Sequence, residues 1–296
     1  MKIRNDRFEL GVSAATGRVT AYGPVGGPNV LWQNPRAPET PTVFPGWVNW
    51  GGDKVWIWPE EDWARWSPET RHPPGDPSPG PHQVEGDGLR LRMTSPVLPD
   101  YGLRVVREIS LAPTGSRVTF INRLEQTRPG RLAMPVGVWT VTQIPAPPRI
   151  HALLSPDAEP PGYESFPGTA WPKIERHGDL VTLHRPSSPW QKIGLDAHRL
   201  AAPVDGHLFI VGTPALPGGP RARFRRAQVF SDPDDSPFRL PGLPPYVELE
   251  FTSPLRPLAV GQSASLTVTW DLLDPAQDWV GAVERIDARS CVSPSS

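Results

Sequence analysis

The 296-residue sequence predicts an all-β protein, an antiparallel sandwich of two large sheets with one short helix at its C-terminal end. Three observations predict it. Apolar and polar residues alternate with a period of two in run after run, the signature of strands buried on one face. Proline is abundant, with 41 residues, yet it punctuates the apolar runs and forms no tract of its own. Proline is excluded from helix interiors and from central strand positions, so such a chain is built of strands joined by ordered loops. Only one segment has a helical period.

The clearest strands carry their alternation openly. In 117–126, Val118, Phe120 and Leu124 face one way and Thr119, Arg123 and Glu125 the other. In 263–272, Leu266, Val268, Trp270 and Leu272 alternate with Thr267, Thr269 and Asp271. In 246–251, Val247, Leu249 and Phe251 alternate with Tyr246, Glu248 and Glu250. Further strands are expected at 8–12, 18–22, 89–94, 103–111, 132–142, 180–184, 192–196, 207–212 and 228–231. Between them, 67–81 reads as an exposed loop, and 145–149 and 216–220 as rim connections. The helix is expected to start at Asp274, an N-cap followed by Pro275 in the first helical position. Trp279, Val280, Val283 and Ile286 then share a face, and 290–296 reads as a frayed tail. No internal repeat or long linker divides the chain, so a single domain over 1–296 is expected.

Composition excludes several functions. Thirty Lys and Arg balance 31 Asp and Glu, which gives no electrostatic reason for a nucleic-acid partner. The one cysteine, Cys291, allows no internal disulfide. No apolar run has the length of a signal peptide or a transmembrane helix. A soluble cytoplasmic protein that makes no membrane contact is the expectation. The histidines have no metal-ligand spacing, and neither a P-loop nor a dinucleotide fingerprint occurs. Neither metal nor cofactor is expected. Asp232, Asp234 and Asp235 could offer oxygen ligands to calcium, but a proline-bounded acidic turn explains them as well.

The most informative stretch is PGWVNWGGDKVWIWPEEDWARW, which places Trp47, Trp50, Trp56, Trp58, Trp63 and Trp66 within twenty residues. Between the rings sit Gly51-Gly52, Asp53, Lys54 and the acidic run Glu60-Glu61-Asp62. The rings could simply form a small core under a loop, since tryptophan is mostly buried. They could also serve a sugar, whose axial C–H groups pack on an aromatic face while its hydroxyls take carboxylates, amides and cations.

The opening, RFELGVSAATGRVTAYGPVGGPNVLW, is a strand, a glycine turn, a second strand and an Asn-Val-Leu step. The close, YVELEFTSPLRPLAVGQSASLTVTWDL, is an acid-bearing strand, a turn and a final alternating strand. With GGDKVWIWPE, these segments in this order resemble the galactose-mutarotase-like (aldose 1-epimerase-like) superfamily, and most of all a branch of it with no assigned reaction. The middle, 145–245, matches only in strand rhythm.

The resemblance implies a β-supersandwich with a sugar groove across one sheet. It implies a carboxylate that takes the anomeric proton and a histidine that protonates the ring oxygen. Glu250 aligns with the base, and Glu248 lies two residues away on the same strand face. The family's histidine strand falls near PVGVWTVTQIP, where Trp139 or its neighbours stand in the histidine's place. An indole N–H donates a hydrogen bond but does not deliver a proton, so little conventional mutarotase activity is expected.

The candidate catalytic residues are therefore Glu250, Glu248, Lys54 and Asp53. The candidate sugar-binding residues are Trp47, Trp50, Trp56, Trp58, Trp139 and Gln143. The expected partner is a small-molecule or oligosaccharide ligand. The function expected is carbohydrate binding, its enzymatic form an epimerase-like isomerase that lacks the usual catalytic histidine. The alternatives are a non-catalytic sugar-binding module, or a lyase or hydrolase on a uronic-acid-containing saccharide.

Overall fold

In the computed structural model, residues 1–37, 48–66, 81–131, 134–214, 226–236, 239 and 242–274 are described. The expected helix beyond Asp274, the tail, the loop at 67–80 and the connection at 216–220 lie outside them.

Strands are numbered along the chain. The first sheet runs, in spatial order, β1 (Lys2–Arg4), β2 (Phe8–Ser13), β3 (Arg18–Pro24), β4 (Asp53–Trp58), β9 (Gly137–Pro145), β18 (Tyr246–Thr252), β17 (Ala227–Ser231), β14 (Gln191–Leu195) and β11 (Tyr163–Ser165). The second runs β12 (Ile174–His177), β13 (Leu180–His184), β10 (Arg149–Leu154), β15 (Ala197–Val204), β16 (His207–Gly212), β19 (Ser263–Leu273), β8 (Val118–Gln126), β7 (Leu103–Leu111), β6 (Arg90–Thr94) and β5 (Gln83–Asp87). The strand pairs are antiparallel, as in β18 on β9 and β19 on β8.

The alternation read from the sequence is the alternation of burial. Val118, Phe120 and Leu124 of β8 and Leu266, Val268, Trp270 and Leu272 of β19 face inward, where they meet Val247, Leu249 and Phe251 of β18 in one cluster drawn from both sheets. Trp270 lies at its centre, 4.5 Å from the Phe120 ring centroid and 5.5 Å from that of Tyr22. Some strands were not evident in the sequence. β15 carries the run Ala201-Ala202-Pro203, which has little β propensity, and tertiary packing between β10 and β16 makes it a strand. The strand expected at 132–142 begins later, at Gly137, and runs to Pro145.

A buried ion pair crosses the core. Arg107 of β7 reaches from the second sheet to the Asp53 carboxylate in the first. Its Nε also donates to Asn122 Oδ1 at 3.0 Å, and Thr142 donates to the other Asp53 oxygen at 2.8 Å. A charge so deeply buried is tolerated only when it is paired and hydrogen-bonded. Here every partner comes from β4, β7, β8 or β9, so the group ties the two sheets together beside the start of β4. Among the described residues no helix is long and apolar enough to cross a membrane.

Candidate functional site

The outer face of the first sheet follows from strand parity. Val55 and Ile57 point into the core, so Lys54, Trp56 and Trp58 point away from it. Val138 and Ile144 point inward on β9, which leaves Trp139, Val141 and Gln143 on the outer face. On β18 the outer set is Tyr246, Glu248 and Glu250, on β17 it is Gln228 and Phe230, and on β14 it is Lys192.

Register then lines these side chains up in rows across the strands. One row is Lys54, Val141, Glu250 and Gln228. The next is Gln143, Glu248, Phe230 and Lys192. The Gly51-Gly52 turn sets where the first row begins. Both glycines have positive φ, 83° and 73°, and a Cβ on Gly52 would lie 2.2 Å from the Val19 carbonyl oxygen. Gly52 N–H donates to Trp32 O at 2.7 Å, and Gly52 O accepts from Gln143 N–H at 2.9 Å, which fixes β4 against β9.

Aromatic rings flank the two rows. At one end Trp139 packs edge-on against Trp56 and Trp58, with centroids 5.3 and 5.7 Å apart, and lies 5.6 Å from Trp63. These are the geometries that ring quadrupoles favour. Trp63 is held by its own indole, which donates to Ile57 O at 2.8 Å. At the other end Tyr246 lies 6.1 Å from Phe230 and 4.7 Å from Trp32.

Charged groups occupy the centre. Trp139 Nε1 donates to Glu250 Oε2 at 2.8 Å, and Lys192 Nζ lies 3.3 Å from the same oxygen. The 3₁₀ turn Glu60–Asp62 folds over the face and brings Glu60 Oε2 to 3.5 Å from Lys192 Nζ. That ammonium also lies 4.6 Å from the Trp139 ring centroid and 4.9 Å from that of Phe166. Lys54 Nζ lies 3.4 Å from the Trp56 centroid, a cation–π contact away from bulk water. Glu248 is half-buried and accepts from Gln143 Nε2 at 2.7 Å. Glu250 Oε1 and both amide atoms of Gln228, its cross-strand neighbour, are buried and make no hydrogen bond in the protein.

Burial dominates the titration of Glu250 and pushes its carboxyl up to about 8; Lys192 opposes the shift, and Glu248 and Glu60 add to it. Burial alone would lower the Lys192 ammonium, but Glu250, Glu60 and Glu248 outweigh it and hold the lysine above its usual value. The two groups titrate as a coupled set. With three carboxylates around one ammonium, the most buried carboxyl keeps its proton and the lysine keeps its charge.

The structure thus brings together Lys54, Trp56, Trp58, Trp139, Gln143, Glu248 and Glu250 from three strands. Asp53, a candidate catalytic residue in the sequence, does not join them. Neighbours in a strand point to opposite faces, and Asp53 faces the core, held by Arg107. Trp50 is half-buried just before the glycine turn, and Trp47 lies outside the described residues. Asp232 and Asp234 take guanidinium partners, Arg239 at 2.5 Å and Arg185 at 2.6 Å, while Asp235 is exposed. Lys192, Gln228 and Phe166 were not evident as site residues. The signal for the first two was a polar residue inside a short apolar strand, which does not say what it faces.

No family profile matches the chain, and no curated protein matches it in sequence. Solved structures do match in fold. A TPR-domain-containing protein from Parabacteroides distasonis aligns with a TM-score of 0.60 at 16% identity over 93% of this chain, which spans 47% of that longer protein. A candidate aldose 1-epimerase from Escherichia coli K12 aligns with a TM-score of 0.58 at 16% identity, over 93% of this chain and 98% of its own. A galactose mutarotase-related enzyme from Lactobacillus acidophilus aligns with a TM-score of 0.52 at 10% identity, over 94% and 98%. The two sheets and their strand order therefore form a mutarotase-like supersandwich.

Proposed function

We propose that this protein binds a saccharide on the outer face of the first sheet. The observation that carries the proposal is the composition of that face. Two rows of hydrogen-bonding groups, among them the unpaired Glu250 Oε1 and Gln228 amide, lie between walls of tryptophan and of phenylalanine and tyrosine. Ring C–H groups of a pyranose would pack on the indoles, while its hydroxyls meet carboxylate, amide and ammonium. A mostly apolar site with a few convergent polar groups is the usual form of a small-molecule site.

One observation favours a second reading, epimerase-like isomerisation at the anomeric carbon. Glu250 is fully buried two residues from Glu248 on the same strand face, and that burial pushes its carboxyl up to about 8. A general acid works best with its pKa near the operating pH. In this reading Glu248 takes the proton of the anomeric hydroxyl, and the C1–O5 bond breaks as Glu250 gives its proton to O5. Rotation about C1–C2 and the reverse transfers close the ring as the other anomer and return both protons. Burial would thus make Glu250 the acid rather than the base that the sequence resemblance implies.

Titration with glucose, galactose and their uronic acids, followed by tryptophan fluorescence and calorimetry, tests the binding. A spectral shift with at least one of them or of their linked di- and trisaccharides is expected; no shift and no heat with any of these would sink the proposal. Polarimetry on fresh α-glucose and α-galactose tests the second reading. Its signature is acceleration that is lost in Glu250→Gln and declines above pH 8 as the acid is deprotonated.

A further inference from the structure

Trp190 is a large aromatic residue at the edge of the candidate site. It immediately precedes β14 and is 43% exposed, unlike the tryptophans at the other end of the face. Its ring stacks on Phe230 at 6.2 Å with an interplanar angle of 29°. Phe230 contacts Tyr246, and Tyr246 contacts Trp32, whose indole donates to Pro244 O at 2.9 Å. A ladder of four rings therefore runs along this end, buried at Tyr246 and Trp32 and open at Trp190.

The ladder is continuous with the polar rows. Phe230 sits between Glu248 and Lys192 in the strand register. Trp190 lies two residues from Lys192, a step of about 6.7 Å along the strand. The face is open at Trp190 itself. Glu248 and Phe230 beside it are half-buried, as is Glu60 toward the tryptophan end, whereas Lys54, Gln143, Lys192, Gln228 and Glu250 are buried. An isolated exposed hydrophobe needs no explanation. This one stacks on Phe230, which Tyr246 and Trp32 back in turn, and it sits at the edge of a face rich in hydrogen-bonding groups. Bracing fixes the ring before a ligand arrives, so less ordering cost falls on binding.

We propose that Trp190 is a second sugar-stacking subsite and that the ligand is a linked saccharide of at least two units. One ring lies over the Glu248 and Glu250 rows, and the next lies on the exposed indole face. This rests on the saccharide reading above and commits it to an oligosaccharide rather than a free monosaccharide.

Calorimetry with glucose and galactose and with their α- and β-linked di- and trisaccharides tests it, on the full chain and on Trp190→Ala and Trp190→Phe. At least one linked saccharide should bind about tenfold more tightly than its monomer. That ratio should collapse toward one in Trp190→Ala and be largely kept in Trp190→Phe, with thermal midpoints showing that both variants fold. Equal affinity for monomers and oligomers, or a ratio that survives Trp190→Ala, would overturn the subsite and leave the first proposal standing. No binding of any saccharide would overturn both. A light-scattering mass of two chains that falls to one in Trp190→Ala would assign the ring to self-association instead, and would also overturn the subsite.

Discussion

At the scale of single residues, Glu250 shows how strongly burial can alter chemistry. It is fully buried, touches one ammonium and one indole N–H, and has two further carboxylates nearby. Its effect on stability follows from linkage. Below about pH 4.5 the carboxyl is protonated both folded and unfolded. From there to about pH 8 the unfolded chain releases a proton that the folded chain keeps. Stability therefore falls as pH rises through that window, by at most about 1.4 kcal/mol per unit, and levels off above it. Glu250→Gln should remove this decline. Urea denaturation at pH 5, 6, 7 and 8 checks it; parallel pH dependences in the two proteins would show that Glu250 titrates normally.

At the scale of elements, β4 positions the site because of what precedes it. Gly51 and Gly52 let the chain cross close under Trp32 and Val19, and the strand then pairs with β9 from Asp53 to Trp58. Substituting alanine for Gly52 imposes a side chain on a backbone with φ of 73° and drives Cβ against the Val19 carbonyl. The expected loss is about 2 kcal/mol or more. Gly26 is the natural control, with a φ of 72° and nothing within 4 Å of its added Cβ. Gly26→Ala should lose only about 1 kcal/mol. Urea midpoints compare the two; equal losses would mean that the close approach at Gly52 is not what holds the turn. The same parity that turns Lys54 outward turns Asp53 inward, so one dipeptide serves the candidate site and the core.

At the scale of the whole molecule, the sheets are held by a large apolar core crossed by the Arg107–Asp53 pair. Truncating one partner leaves the other charged and buried. Asp53→Ala should therefore cost about 3–5 kcal/mol, whereas Glu9→Ala, at an exposed pair with Lys2, should cost less than about 1 kcal/mol. Equilibrium urea unfolding measures both. A loss below 1 kcal/mol at Asp53 would show that the pair does not tie the sheets.

Much of this protein was legible in its sequence because strand alternation is a local property. Period-two runs identified β8, β18 and β19 and their inward residues, and placed Glu248 and Glu250 on one face. The resemblance carried by the two ends and the GGDK segment pointed to the supersandwich. Alternation also implies that Asp53 and Lys54 cannot share a cavity, though not which of them faces the core. Only the tertiary structure decided that, because a face is defined by the sheet packed against it. It decided, too, that Trp139 meets Glu250 across 111 residues, and that Lys192 and Glu60 join them. Strand neighbours and register are set by burial of the whole core, which no local window contains. The elevated carboxyl pKa of Glu250 follows from that burial, and it came into view only once the chain had folded around it.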